Sequence, residues 1–563
     1  MRIPLLQTVW LRACESSPIL QSIHADGFHW HLHPDATAIF GDGPPPVAEW
    51  IRSGLAERVK ANDQRTVFRV SLPNGSVYLK RCRVHRPRAW VRELFRPPKA
   101  KLEFENAVAI QAHGIATTEP LAWAGAEGHW PGESWLVTRE RNAVPFSDWL
   151  MRPLPPAERR LLARALASFF AHLHDAGVAH PDPHPGNLLV ETDRNGEPTF
   201  VLIDLHAVTP GRSVPMAKSE SNLVLFNRWF QLRASRTDRL RFWLAYRRAR
   251  SCNGIERIDA ERIEIRTSRS NASFWARRFG RYRTNNREFE RVRSSAAAGY
   301  VYRTLPTAFV ESFFSNPEAP FESPTKKVLK DSRTSTVVEV RIETPSGPFD
   351  AILKRFNRKS LLQIAKNAFR PSPATRSWLL GHSLRDRGLP TPLPLLLAHR
   401  YRFGMPVVSY LLVEKVPGAT GLSEAVAEAE ALPPVARRQY FRRLAFDLGR
   451  LLRTMHDRHV SHRDLKAPNI LLENGQTSTL IDLVGVRAGP AVPYATRVRD
   501  LARLNASFLN SPAVSRSDRL RALTAYLGVP PKDGRSWKVW WTALAVATQA
   551  KVAKNQRTGR PLA

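Results

Sequence analysis

Two stretches of this chain carry residues whose types and spacing could move a phosphoryl group. One is HRDLKAPNILL at residues 462–472, with the apolar run TLIDL at 479–483 close behind it. In nucleotide-dependent phosphoryl transfer a loop aspartate takes the proton of the attacking hydroxyl, and an asparagine five residues on holds a divalent ion. A second aspartate, at the end of a strand, holds the ion as well. Asp464 fits the base, and Asn469 and Asp482 fit the magnesium ligands. The spacing has a physical reason: the base must face the nucleophile while the asparagine, at the far end of one short loop, turns back toward the phosphates. Lys466, two residues after the base, is placed to neutralise the group in transit.

The same unit occurs earlier, as HPDPHPGNLL at 180–189 and FVLIDL at 200–205. Asp182, Asn187 and Asp204 repeat the three roles, and His184 stands where the later copy has Lys466. Each copy also has a histidine eight residues before its catalytic aspartate, His174 and His456, within an amphipathic stretch that reads as helix. The repeat outruns the chemistry. DRLR at 238–241 recurs at 518–521, each followed shortly by Ala-Tyr, at nearly the separation of the two catalytic aspartates. A tandem duplication covers most of the chain.

These loops need a strand and a helix to bring charge to the phosphates. Residues 58–81 read as two or three strands joined by a Pro-Asn-Gly turn and closed by Lys80, and AILKRF at 351–356 places Lys354 alike. A lysine at the inner end of such a strand contacts the α- and β-phosphates of ATP. A helix is expected over 102–113, ended by Gly114. On it Glu103, 23 residues beyond Lys80, is the expected partner of the lysine, with Glu105 the alternative. The same count from Lys354 reaches Ser377, which has no carboxylate. Neither copy has a glycine-rich loop before its lysine, at 60–65 or at 330–336. WLVT at 135–138 reads as the strand leading to a hinge at 139–141.

The resulting division is a lead-in at 1–45, a first domain at 46–315, a linker at 316–324 (NPEAPFESP) and a second domain at 325–563. The first domain is expected to end in a basic helical region reaching about Tyr302. In the lead-in, His29, His31 and His33 alternate and would share one strand face, which reads as a wet face rather than a metal site.

At 563 residues the chain exceeds one core, and 43% hydrophobic residues suffice for two. A formal net charge of +35 calls for an anionic partner: an acidic lipid surface, a phosphorylated glycan or nucleic acid. Basic runs at 80–101, with Trp90 and Phe95, and at 354–370, with Phe356 and Phe369, occupy one position in the repeat. They suit anionic headgroups or glycan phosphates, the acceptor and membrane-surface partners favoured here over nucleic acid. Cys14, Cys82 and Cys252 are scattered without metal spacing, which favours a reducing compartment. Gln7 and Arg12 interrupt the apolar part of the N-terminus, so it does not read as a signal peptide. The apolar stretch at 539–547 is too short to span a bilayer. The expectation is a cytoplasmic protein, peripheral at the inner membrane.

The strand lysines in YLKR and ILKRF, the segments HGIATTEPLAWAG and RGLPTPLPLLLA, the two catalytic loops and the IDL strands together resemble the lipopolysaccharide kinase (Kdo/WaaP) family, twice over. The resemblance implies an α+β fold of two tandem bilobal protein-kinase-like domains, each a small β-rich N-lobe and a larger helical C-lobe. It implies transfer of phosphate from ATP to a sugar hydroxyl of the lipopolysaccharide core, with Asp182 and Asp464 as bases. Asn187, Asp204, Asn469 and Asp482 would be magnesium ligands, and Lys80 and Lys354 phosphate contacts. Two rival readings stand beside it: a protein Ser/Thr kinase, and a pseudokinase scaffold on an anionic surface. The chain after Asp482 lacks an Ala-Pro-Glu segment for docking peptides, and a scaffold has no physical need of two intact acid-amide-acid sets.

Overall fold

The structure is a computed structural model describing residues 20–559 except 63, 85–86, 129, 193–195, 209–210, 212, 251–258, 358–370, 403–404, 476 and 529–535. The N-terminal stretch through Arg12, Cys14 and Cys252, and most of the second basic run with Phe369, lie outside these residues. The chain forms two compact units, Met1–Ser270 and Asn271–Ala563.

Each unit begins with a seven-stranded antiparallel sheet, and the two sheets have the same strand order. In the first unit the order across the sheet is Gln21–Ala25, Phe28–Leu32, Pro120–Ala126, Ser134–Arg139, Val77–Cys82, Arg65–Val70, Ala56–Asn62. In the second it is Phe289–Arg293, Ala298–Tyr302, Pro394–Arg402, Met405–Glu414, Phe349–Phe356, Ser335–Ile342, Lys327–Ser332. The expected strands around Lys80 are present as three, and the chain turns between the last two with Gly75 at φ 122°.

Two expected boundaries are corrected. The lead-in at 1–45 supplies the hairpin Gln21–Ala25/Phe28–Leu32, whose Trp30 and Leu32 enter the core beneath the first sheet. Its counterpart, Phe289–Arg293/Ala298–Tyr302, lies in what was read as a basic helical tail of the first domain, yet it belongs to the second sheet. The unit boundary therefore falls near residue 270, and the expected linker at 316–324 lies within the second unit. Its Glu318 accepts hydrogen bonds from Tyr410 and from Arg355, and Phe321 is in the sheet core. Proline and acid content imitated a linker because both also serve turns; the partners that bury this segment lie 37 and 92 residues downstream.

A helix crosses each sheet, Lys99–Ala112 in the first unit and Pro373–Asp386 in the second. The first starts three residues before the expected position and ends at Gly114, with φ 73°. Beyond the sheet each unit is mainly helical around a separate apolar core, built on Pro156–Asp175 and Pro434–Asp457 respectively. This is the expected α+β, two-lobed architecture, present twice. No helix among the described residues is long and apolar enough to cross a membrane.

Candidate active sites

The HxDxxxxN loop of each unit is held in place by a buried histidine. His174 sits in the last turn of Pro156–Asp175, where its Nδ1 meets the Tyr246 hydroxyl at 2.7 Å and its Nε2 meets Asn222 Oδ1 at 3.1 Å. Because Oδ1 can only accept, Nε2 carries the proton and the tyrosine hydroxyl donates to Nδ1. Burial pushes the His174 pKa down to about 4, so the ring is neutral. Asn222 then donates to the backbone carbonyl of His180, at the start of the loop. In the second unit His456 meets Tyr526 at 2.8 Å and Asp500 at 3.4 Å, and Asp500 accepts the His462 backbone N–H at 2.9 Å. The Ala-Tyr that follows each DRLR is thus the anchor of the histidine eight residues before Asp182 or Asp464. Two motifs noticed separately in sequence are one hydrogen-bonded chain.

Within each loop the geometry repeats. His180 Nδ1 accepts the Asp182 N–H at 3.1 Å, and its Nε2 donates to the Asp204 carbonyl at 3.2 Å. His462 does the same with Asp464 N–H at 3.3 Å and the Ile481 carbonyl at 3.4 Å. Desolvation lowers both histidine pKa values, which keeps each ring in the one tautomer that bridges loop and strand end. Asn187 donates to the Asp182 carbonyl at 2.9 Å and Asn469 to the Asp464 carbonyl at 2.7 Å. The Asn187 carbonyl accepts Ile203 N–H and the Asn469 carbonyl accepts Ile481 N–H, both at 3.0 Å. Asp, Asn and the second Asp therefore form one unit in each copy, as the spacing anticipated. Asp204 (φ 67°) and Asp482 (φ 54°) occupy the left-handed region, which aspartate tolerates better than most residues and which turns each carboxylate out of its strand.

The sheet side of each cleft is tied to this unit by the shared Gly-x-x-Thr segment. Thr117 Oγ1 donates to the Leu202 carbonyl at 2.7 Å, and Thr391 Oγ1 to the Leu480 carbonyl at 2.8 Å. From there the copies diverge. In the first, Lys80 Nζ is paired with Glu103 Oε1, and both side chains are nearly buried. Glu105 instead faces Lys101 at 3.7 Å on the helix surface. Arg65, from the hairpin before the lysine strand, reaches Asp204 Oδ1 at 3.0 Å, and His206 Nδ1 reaches the same oxygen at 3.0 Å. Burial opposes ionisation of Asp204, but the His206 hydrogen bond and the charges of Arg65 and Lys80 outweigh it and hold the carboxyl below its usual range. Asn106 fixes the following turn by donating to the carbonyls of Leu205 and Val208, both at 2.8 Å.

In the second unit Ser377 is buried in the corresponding helix, and Lys354 turns to Asp482 Oδ1 at 3.3 Å, with its ammonium 4.9 Å from the Phe356 ring. Lys466 Nζ lies 3.6 Å from Asp464 Oδ2, as His184 does from Asp182. Lys80, Glu103, Asp182, Asn187 and Asp204 thus belong to one connected set of contacts, and Lys354, Asp464, Lys466, Asn469 and Asp482 to another. Arg65, His206, Asn106, Asn222 and Asp500 also belong to these sites, and the motif spacing did not point to them. Aligning the two copies points to Asn222 and Asp500; nothing local marks Arg65, whose contact spans 139 residues.

A β-rich lobe over a helical lobe, with a lysine strand facing an acid-amide-acid set, defines a protein-kinase-like fold, here in two copies. The chain belongs to the lipopolysaccharide kinase (Kdo/WaaP) family, whose model matches residues 48–246 and 344–526. It is 35% identical over 143 residues to a 3-deoxy-D-manno-octulosonic acid kinase of Haemophilus influenzae, covering 24% of this chain and 54% of that one. It is 30% identical over 158 residues to the lipopolysaccharide core heptose(I) kinase WaaP of Pseudomonas aeruginosa, covering 26% of this chain and 59% of the relative. The chain thus spans little more than half the length of these curated relatives. A solved WaaP in complex with acyl carrier protein aligns at 24% identity and a TM-score of 0.33 over 43% of this chain and 97% of its own.

Proposed function

We propose that the protein is an ATP-dependent phosphotransferase that phosphorylates a sugar hydroxyl of the lipopolysaccharide core or a related glycolipid. The observation that carries this reading is the twice-built loop in which Asp182 or Asp464 projects beside an asparagine locked to it and an αL aspartate. Asp182 and Asp464 accept the hydroxyl proton as the acceptor oxygen bonds to the γ-phosphorus and the bond to the departing ADP breaks. Lys466 offsets charge on the transferring group from two residues away. Lys80, oriented by Glu103, and Lys354 contact the α- and β-phosphates.

The carboxylate and amide oxygens of Asp204 with Asn187, and of Asp482 with Asn469, are the hard donors that magnesium takes. Each asparagine uses its amide nitrogen on the loop, so its oxygen remains as the donor toward a metal. Bound there, magnesium would neutralise phosphate charge. The family relation and the basic surface together support an anionic glycolipid acceptor met at the cytoplasmic face of the inner membrane. Phe95 is 85% exposed within the first basic run, and Trp90 stacks on Trp130 at 5.6 Å, so this run offers aromatic as well as cationic contacts.

The two units are not equivalent: among the described residues, only the first pairs its lysine with a glutamate. A regulatory role for the second unit is the alternative that the Lys354–Asp482 contact favours. The test is magnesium-dependent transfer of labelled phosphate from ATP to core glycolipid, generic protein and aminoglycoside by the parent, Asp182→Ala, Asp464→Ala and the double variant. Labelling of the glycolipid, reduced by each single change in an active unit and abolished in the double variant, is expected. A double variant as active as the parent overturns the assignment; loss with Asp182→Ala alone assigns catalysis to the first unit.

A further inference from the structure

Beside the second unit's catalytic loop lies an open cavity of about 600 Å³ whose lining is predominantly cationic. Arg376, Arg463, Arg487, Arg499 and Arg503 all line it. They arrive from four places: the helix Pro373–Asp386, the catalytic loop, the strand Val486–Ala488 and the helix Tyr494–Ala506. The short ribbon that pairs Ser461 with Arg487 and His462 with Val486 sets Arg487 next to Arg463, and Arg463 immediately precedes Asp464. The acid in the lining is Asp500, which is fully buried and already engaged by Arg503 at 2.7 Å and by the His462 N–H at 2.9 Å. Arg376, Arg463 and Arg487 have no carboxylate partner among the described residues.

Gathering five guanidinium groups in this way raises the free energy of the folded chain unless an anion offsets it. The neighbouring charges bear on Arg463, whose pKa is lowered by desolvation and then by the charges of Arg487, Arg376, Arg503 and Arg499. In the register set by the lysines and the paired aspartates, the first unit has Leu102, Pro181, Thr209, Ser221 and Leu225 at these five positions. The cluster is thus a property of one copy and not of the shared scaffold. Guanidinium forks match the oxygens of phosphate and carboxylate groups and hold them by paired, charge-assisted hydrogen bonds. The position, beside the loop whose Asp464 is the proposed base and one residue from it in the chain, suits a group belonging to the molecule that is phosphorylated.

We propose that this arginine basket is an oxyanion site that grips a phosphate or carboxylate already present on the acceptor glycan, so that the second unit acts on a sugar that has been made anionic beforehand. The inference rests on the phosphotransferase reading of Asp464. It places the second unit after a reaction that installs an acidic or phosphorylated sugar.

Binding separates this proposal from catalysis. The full-length chain, with its nucleotide sites filled by a non-hydrolysable ATP analogue and magnesium, is titrated calorimetrically with glucose 6-phosphate, glucose and inorganic phosphate. The same titrations are made on R487Q/R499Q and R487K/R499K, changes at two exposed side chains. Glucose 6-phosphate should bind the parent at least tenfold more tightly than either glucose or phosphate. R487Q/R499Q should lose at least tenfold of that affinity, and R487K/R499K should lose less, because charge survives without the fork. Equal affinity for phosphate and glucose 6-phosphate would make the basket a free-phosphate site and overturn the acceptor assignment. Unchanged binding in R487Q/R499Q would overturn the site itself. Neither outcome depends on turnover, so failure of the Asp464→Ala test would be recognised separately.

Discussion

Glu103→Gln should destabilise the first unit by about 3 kcal/mol, whereas Glu105→Gln, two residues along the same helix, should cost under about 0.5 kcal/mol. The difference follows from burial. Lys80 and Glu103 expose only 10% and 8% of their side chains, so removing the carboxylate charge leaves an ammonium with little water to solvate it. Breaking such a pair costs about 3–5 kcal/mol, and the lower end applies because glutamine still accepts one hydrogen bond and Asp204 stands nearby. The Lys101–Glu105 pair is a surface contact at 3.7 Å with 39% and 54% exposure, where solvent screens the charges. Hydrogen exchange read by mass spectrometry on the full chain resolves the two units. Peptides covering Val77–Cys82 and Lys99–Ala112 should exchange about 150-fold faster in Glu103→Gln, the equivalent of about 3 kcal/mol. Peptides of the second unit should not change. A change below about 1 kcal/mol, or one matched by Glu105→Gln, would refute the claim that Glu103 is what holds the lysine.

Two further outcomes follow from the histidine anchors. Tyr246→Phe and Tyr526→Phe each leave a buried imidazole nitrogen without its donor, so each should destabilise its own unit by about 1–3 kcal/mol and lower phosphate transfer by that unit without moving the KM for ATP. Denaturant melts combined with steady-state kinetics check this; a raised KM for ATP at constant stability would contradict it. Acid should weaken both units. Burial pushes His174 and His399 down to about 4 and His382 to about 3, against an ordinary value of 6.5. The unfolded chain therefore binds more protons than the folded one between these values. The stability these rings contribute is complete above pH 6.5 and is lost as pH falls through about 4. Denaturant midpoints measured from pH 7.5 to pH 4 should decline across that window, and a flat profile would show that the three rings are not held neutral.

Much of the chemistry was legible because it is local. Asp182 and Asn187, or Asp464 and Asn469, lie on one short loop, and a loop of that length can fold back in few ways; sequence spacing alone therefore brings base and amide together. Lys80 and Glu103 were paired from their separation because a strand, a turn and a helix of ordinary length bridge it. The duplication was legible for the same reason, since each copy repeats its own local grammar. The division of the chain was not. The hairpins Gln21–Ala25/Phe28–Leu32 and Phe289–Arg293/Ala298–Tyr302 look like a lead-in and a tail until they pair with strands nearly a hundred residues downstream.

The amino-acid sequence by itself determined the two HxDxxxxN loops, the strand lysines, the absence of a partner glutamate at Ser377 and the strongly cationic character of the molecule. Only the tertiary structure decided that Lys354 turns to Asp482, that Arg65 and His206 share the oxygen of Asp204, and that five arginines from four segments meet beside Asp464. The physical reason is that backbone spacing constrains neighbours along the chain, while a side chain's partner across the fold is chosen by burial and charge among residues that sequence distance does not rank.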